Sequence, residues 1–371
     1  MNSMILTGNN QTIQQLIYLC GCAVNGVVPD AEIIGGMDFA ELFHTAERHM
    51  LTATVAYALE LAGIHDASFE QARVKAIRKT AIMDTEQAKV FERLEEAGIW
   101  YMPLKGAVLK DLYPSYGIRQ MSDRDILVDA DKMEEVRTIM EDLGFTTKHY
   151  GEHHHDCYFK PPLSNFEMHW KLFEPEQGKR ITEYYSNVKT RFIKDDCNKY
   201  GWHFSPEDFY IHMVTHEFKH YSGNGTGLRS LLDIYVYLKN VQFDDGYVAA
   251  ETQKLGISDF EKANRELALD VFSGKPLADA EQSMLKRFAV AGTYGSTELF
   301  AENQLAAKGR KGYFLSRLTL PYAVMKEHYP ILEKCPVLYP FCWLHRLVYG
   351  FFFKNKKFMH QLKTGMTWDK E

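Results

Sequence analysis

The stretch Ile99–Val128, IWYMPLKGAVLKDLYPSYGIRQMSDRDILV, decides how the rest of the chain is read. An apolar run, Ile99 to Leu104, stops at Lys105-Gly106. A short helical segment over 106–113 follows, then a turn-rich loop with Pro114, Ser115, Gly117 and Arg119. Strand character returns at Ser122-Asp123-Arg124-Asp125-Ile126-Leu127-Val128. In a strand, residues i and i+2 share a face about 6.6 Å apart at Cα. Asp123 and Asp125 can therefore share one divalent cation, and oxygen ligands of this kind suit Mg²⁺ held between carboxylates and substrate phosphates. The Lys105-Gly106 turn opens a helix whose leading N–H groups favour a phosphate. A phosphate cradle and a carboxylate pair in one β-turn-α-β unit point to phosphoryl or nucleotidyl transfer.

Outward from this unit, the chain alternates over 98–200 and is helical on both sides. Apolar residues recur at three- and four-residue spacing over 12–24, 39–61 and 68–97. A strand over 99–104 leads to the 106–113 helix and to the acidic strand 123–128. A helix over 131–143 is closed by Gly144, where a left-handed cap is expected. Strands are expected over 145–150, 154–160 and 166–172, with a flanking strand over 188–193. In Phe166-Glu167-Met168-His169-Trp170, Glu167 and His169 share a face, so Glu167 supplies a third carboxylate if its strand lies beside Asp123. Helices are expected over 206–221, 228–240, 244–255, 258–273, 280–292 and 296–307. The aromatic-rich segment from Tyr313 to Phe358 reads as a packed end piece. The expected architecture is α+β: an N-terminal helical region (1–97), a small mixed-sheet core (98–200) and a C-terminal helical domain (201–371).

Bulk properties narrow the function. With 371 residues, two or three domains are expected. At 46% hydrophobic and 13% aromatic residues the chain can bury real cores. A net charge of −6 without a long basic run argues against general nucleic-acid binding. The six cysteines (20, 22, 157, 197, 335, 342) form no Cys-x-x-Cys pair. The start MNSMILTGNNQTIQQ has no basic region followed by an apolar one. No run reaches the roughly 18 apolar residues of a membrane span. The expectation is a reduced, cytoplasmic protein.

Other motifs compete. His216-Glu217-Phe218-Lys219-His220 fits the His-Glu-x-x-His pattern of zinc peptidases, and His212 extends the stripe, yet no third ligand follows at a persuasive spacing. A stripe of histidines packed on or facing the sheet is the expectation, with nucleotide contact open to His216 and His220. Glu152-His153-His154-His155-Asp156 reads as hairpin polarity, with a metal tract as the alternative, since alternate histidines on a strand face opposite ways. Asp233, in an apolar helix, needs a cation such as Arg229. Gly223-Asn224-Gly225-Thr226-Gly227 follows no strand and reads as a hinge.

Leu104-Lys105-Gly106, Tyr113-Pro114, Arg119, Asp123/Asp125, and Glu167 with His169-Trp170 together resemble the nucleotidyltransferase superfamily, whose fold is the DNA polymerase β palm. More narrowly they resemble a bacterial group labelled uncharacterised nucleotidyltransferase. The resemblance implies that Asp123, Asp125 and Glu167 are catalytic and hold two Mg²⁺ ions. It also implies that Lys105, Gly106, Ala107, Arg119, Ser122 and His169 meet the nucleotide, an NTP and by expectation ATP. The NMP would pass to an acceptor that is a small molecule, saccharide, peptide or protein. Ala107 stands where Ser or Gly is common, and Arg124, between the aspartates, must face away and pair or reach solvent. The alternative on the same fold is a nucleotide-binding protein without turnover.

Overall fold

Aspartate side chains open the N-terminal helices. In the computed structural model, which describes residues 9–151, 154–174, 177–320 and 322–353, Asp30, Asp38 and Asp66 accept from backbone N–H groups at the starts of Ala31–Gly35, Phe39–Arg48 and Ala67–Ala97. Each satisfies donors that a first helical turn leaves without an intrahelical partner. The helix expected over 12–24 spans Asn9–Asn25, and that over 68–97 spans Ala67–Ala97, closed by Gly98 at φ 69°. The 39–61 stretch is two helices, Phe39–Arg48 and Thr52–Leu61, because the chain turns at Met50, φ 53°. That turn buries both His49, whose Nδ1 accepts from Leu228 N–H at 3.2 Å, and Leu51. The apolar spacing runs on through Leu51, so periodicity alone does not reveal the break. Residues 1–8, Glu152, His153 and the aromatic segment from 354 on lie outside the described residues.

Five strands form the main sheet: β1 (Tyr101–Pro103), β2 (Arg124–Val128), β3 (Thr146–His149), β4 (His155–Lys160) and β5 (Ser164–His169), in the order β1-β2-β5-β4-β3. Only β2 and β5 run parallel. The sheet is mixed and flanked by helices, as expected of an α+β chain. Strand alternation then sorts the side chains. Ile126 and Val128 of β2, Tyr158 of β4, and Phe166 and Met168 of β5 pack with Val90 and Leu94 of Ala67–Ala97 and with Val136 and Met140 of Met133–Asp142. Burial of each such side chain is worth about 1.5–3 kcal/mol, and a one-residue slip would expose the set. The odd-numbered positions 125, 155, 157, 167 and 169 are thereby committed to the other face.

Arg124 lies on the core side. It is fully buried and donates to Asp84 on Ala67–Ala97. Gly144 adopts the expected left-handed conformation, φ 84°. The strand expected over 188–193 is corrected. Val188–Arg191 is a 3₁₀ turn, and β6 (Phe192–Lys194) pairs with β7 (Trp202–Phe204) in a separate two-stranded ribbon. Arg191 bonds Asp208 at 3.0 Å and Glu251 at 2.8 Å, which ties this segment to the helices rather than to the sheet. The ribbon meets β1 where Tyr101 N–H donates to the Tyr200 carbonyl at 3.0 Å.

The later helices are Pro206–Ser222, Leu228–Asn240, Asp245–Leu255, Ser258–Ser273, Asp279–Ala291 and Thr297–Leu318, the last running past its expected end through a kink at Gly309. One compact unit comprises the described residues up to Lys219 together with Gly227–Ala289; the other comprises His220–Thr226 and those from Val290 on. Within the second unit, Asn303 donates to the carbonyls of Tyr221 and Gly223, and Trp343 Nε1 donates to Leu318 O at 2.6 Å. No helix among the described residues is long and apolar enough to cross a membrane.

Asp233 pairs with Arg119, not with Arg229. Arg119 Nε and Nη2 meet Asp233 Oδ1 and Oδ2 at 2.8 Å each, and Tyr113 hydroxyl donates to Oδ1 at 2.7 Å. A two-pronged guanidinium fork in a buried place satisfies both carboxylate oxygens, which an i−4 neighbour on the same helix does not. Arg229 instead donates to the Gln120 carbonyl at 3.0 Å. Removing one partner strands a buried charge, so Asp233→Ala is expected to lower stability by about 3–5 kcal/mol, and the apolar pair Arg119→Met/Asp233→Leu to lose much less. Urea unfolding measures both; equal losses would show that the pairing is not what Asp233 supplies.

Candidate functional site

A strained residue aims the site's central cation. Lys105 adopts φ 44° and ψ −117°, a region that costs a non-glycine residue about 1–3 kcal/mol. It is held there by its surroundings. Leu104 N–H donates to the Asp125 carbonyl at 3.0 Å, Ala107 N–H to the Leu104 carbonyl at 3.1 Å, and Lys105 Nζ to Asp125 Oδ1 at 2.7 Å. The helix that follows, Gly106–Leu109, is a single turn. Its Ala107, Val108 and Leu109 N–H groups donate to the carbonyls of Leu104 and Lys105, so these donors are spent within the turn. Gly106 has a packing reason to lack a side chain: a Cβ there would collide with Arg119 Nη1 and Met121 Cε.

Two of the acids, Asp125 and Glu167, meet on one face. Asp125 and Glu167 are partners in the parallel β2–β5 register, and Asp123 precedes Asp125 by two residues. Asp125 is buried and also takes His169 Nε2 on Oδ1 at 2.9 Å. Burial works against its charge, but Lys105 and His169 outweigh it and hold the carboxyl well below the ordinary carboxylate range. Asp123 goes the other way. Burial, and then the charges of Asp125 and Glu167, push it up to about 6, with Lys105 and the Ser122 hydroxyl opposing. On Lys105 the attraction of Asp125 overcomes burial and raises the ammonium. Asp125, Glu167 and His169 offer donor atoms within 4.8 Å of one another, a group able to hold a metal ion. Oxygens from Asp125 and Glu167, with Asp123 beside them, fit a hard divalent cation.

Other sequence-derived candidates lie elsewhere or are engaged. Arg119, expected on a phosphate, is taken up by Asp233. Ser122 supplies its carbonyl to Lys79 Nζ at 2.9 Å. His216 lies on Pro206–Ser222, its ring 6.4 Å from that of His212, and His220 falls in the second compact unit. Neither belongs to a metal-capable group among the described residues. Glu217 turns away from a zinc-peptidase role: it is buried, and its Oε2 accepts from Asn264 Nδ2 at 2.6 Å.

Two neighbours of the acids, Lys219 and Lys79, were not singled out as site residues from sequence. Lys219 is depressed by burial and by Lys105, and attracted by Glu174, Asp125 and Glu167, so its charge faces the acids. Lys79 on Ala67–Ala97 is depressed by burial and attracted by Asp123. His154 and His155, expected in a solvated hairpin, are drawn in. Their rings lie 5.4 and 4.8 Å from that of His169. Burial lowers His155 to about 4 and His154 to about 2, so both are neutral near pH 7. The legible signal was the alternation of β4 opposite β5, which puts His155 across from His169.

A model of the family described as uncharacterised nucleotidyltransferase matches residues 35–273. Among solved structures, the chain is similar to an antigenic nucleotidyltransferase-like protein from Paracoccidioides brasiliensis at 16% identity and a TM-score of 0.35, over 56% of this chain and 96% of that one. No curated protein matches the chain.

Glu217 also carries a pH signature. Burial raises its folded-state value to about 7, above that of an unfolded glutamate. The folded state therefore binds the extra proton, and stability is full at low pH and lost as pH rises toward and through 7. Glu217→Gln should match the wild type near pH 4 and exceed it at pH 8 by about 2–3 kcal/mol. Urea unfolding at the two values tests this; a constant difference would show that Glu217 is already ionised in the fold.

Proposed function

The chain belongs to the uncharacterised nucleotidyltransferase family, and from that premise we propose that it transfers a nucleoside monophosphate from an NTP, ATP in this reading, to an acceptor hydroxyl or phosphate. The acceptor oxygen bonds to the α-phosphorus, the bond from that phosphorus to the bridging oxygen breaks, and pyrophosphate leaves with the electron pair. The observation that carries the proposal is the register of Asp125 beside Glu167, with Asp123 two residues upstream and within reach of both charges. In this reading the three acids hold Mg²⁺, which neutralises triphosphate charge when bound.

The protein's own groups divide the remaining work. Glu167, about one-fifth exposed, is the acid placed to accept the acceptor's proton, while Asp125 is kept ionised by Lys105 and His169. Lys105 is the phosphate-facing cation of this reading, supported by Lys219 and Lys79 around the acids. Arg119 is assigned to structure, because Asp233 already uses its fork. Burial of Arg124 against Asp84 accounts for the charged residue between the aspartates, so it gives no ground for a lapsed site.

Isothermal titration of the full chain with ATP and Mg²⁺ is expected to show binding that Asp125→Asn and Glu167→Gln each weaken by at least about tenfold, or 1.4 kcal/mol. Pyrophosphate release in the presence of acceptor candidates should fall with it. Equal ATP affinity in wild type and both variants would overturn the assignment.

A further inference from the structure

The same sheet face carries a nitrogen-rich cluster, of which the proposed transfer uses only His169, through Asp125. His155 opens β4 across from His169 on β5. His154 sits in the bend just before β4, outside the strict alternation, and turns its ring to the same side. Ring centroids are 4.6 Å apart for His154–His155, 4.8 Å for His155–His169 and 5.4 Å for His154–His169. One donor atom from each lies within 4.8 Å of the other two.

A second observation concerns the nitrogens themselves. Nδ1 of His155 and of His169 are buried without a hydrogen-bond partner, while His154 Nδ1 makes no hydrogen bond but lies 3.4 Å from Glu174 Oε1. His169 as a whole is only 3% exposed. A buried polar atom without a partner is unfavourable, and two of them occur here in neighbouring rings. The opposite nitrogens are turned toward carboxylates: His169 Nε2 lies 2.9 Å from Asp125 Oδ1, and His155 Nε2 lies 3.6 Å from Glu167 Oε2. A carboxylate on one ring nitrogen leaves the other with its lone pair free to bind, which is how metal-bound histidines are oriented.

We propose that His154, His155 and His169 form a binding site for a borderline divalent transition metal of the Zn²⁺ class, adjacent to the carboxylate cluster. Three imidazoles match the donor set of zinc sites that keep an open position, whereas Mg²⁺ takes oxygen ligands. His169 also belongs to the Asp125–Glu167–His169 group, but none of the three acids assigned to Mg²⁺ is a ligand here, so His154 and His155 carry the proposal whether or not the chain transfers nucleotides. An ion there would pin β4 to β5 and set the orientation of His169, through it that of Asp125.

The test uses the chelator-treated full chain, without nucleotide, titrated with Co²⁺ and then competed with Zn²⁺. The expected result is one tight equivalent with the intense visible bands of a low-coordinate nitrogen site. His154→Asn and His155→Asn should each weaken it by about 10- to 100-fold, while Asp123→Asn and Cys157→Ser leave it unchanged. A weak six-coordinate spectrum indifferent to the histidine substitutions would overturn the proposal, as would an equal loss in Asp123→Asn. Should the histidine variants not fold, nitrogen NMR of labelled wild-type histidines decides: Zn²⁺ should shift ring-nitrogen resonances of three histidines, and no shift would overturn it.

Discussion

The parallel pairing of β2 with β5 is the constraint on which the site depends. It sets Asp125 beside Glu167 although 41 intervening residues separate them in the chain. The pairing is not maintained by the acids, whose like charges oppose it. It is maintained by the reverse face, where Ile126, Val128, Phe166 and Met168 are buried against two helices. Four such side chains at about 1.5–3 kcal/mol each outweigh the repulsion of two carboxylates whose neighbours include Lys105. The core therefore dictates the register, and the register assembles the chemistry.

Charge balance is the second level. A buried carboxylate without a cation would protonate rather than remain ionised. Asp125 escapes this through Lys105 and His169, whereas Asp123, with less direct support, is pushed up to about 6. Two aspartates of identical chemistry thus differ because one receives an ammonium at 2.7 Å. The backbone strain at Lys105 belongs to the same arrangement: the turn that ends β1 must reverse within one residue for the ammonium to reach Asp125.

Much of this was legible in the sequence, and what was not has identifiable causes. The alternation in Ser122–Val128 and in Phe166–Trp170 put Asp123 with Asp125, and Glu167 with His169, on shared faces, because strand period is a local property; that the two strands lie side by side was a condition the sequence left open. A mixed sheet was expected over 98–200, and the antiparallel run β3-β4-β5 beside the parallel β2–β5 pair makes it one. Partner choice was not local. Asp233 found Arg119, 114 residues away, rather than Arg229 one turn away on its own helix. Arg119 was read as a phosphate ligand because an arginine near an acidic strand has two possible uses, and only burial distinguishes them. His154 and His155 looked like hairpin polarity because their exposure depends on what packs over β4, which the tract itself does not encode.

Gly106 shows how a single residue can serve two readings that differ in consequence. A glycine after an apolar strand suggests close backbone approach to a phosphate. Here the space it leaves is filled by Arg119 Nη1 and Met121 Cε from the loop before β2, and the one-turn helix spends its leading donors on its own carbonyls. The glycine therefore connects the site to the Arg119–Asp233 pair: without that space, the guanidinium could not lie beneath the turn that positions Lys105. Stability and chemistry meet at this point, since the buried ion pair supports the strained turn and the turn presents the ammonium. Lys105 is thereby aimed at Asp125, with the strain of its backbone offset by packing.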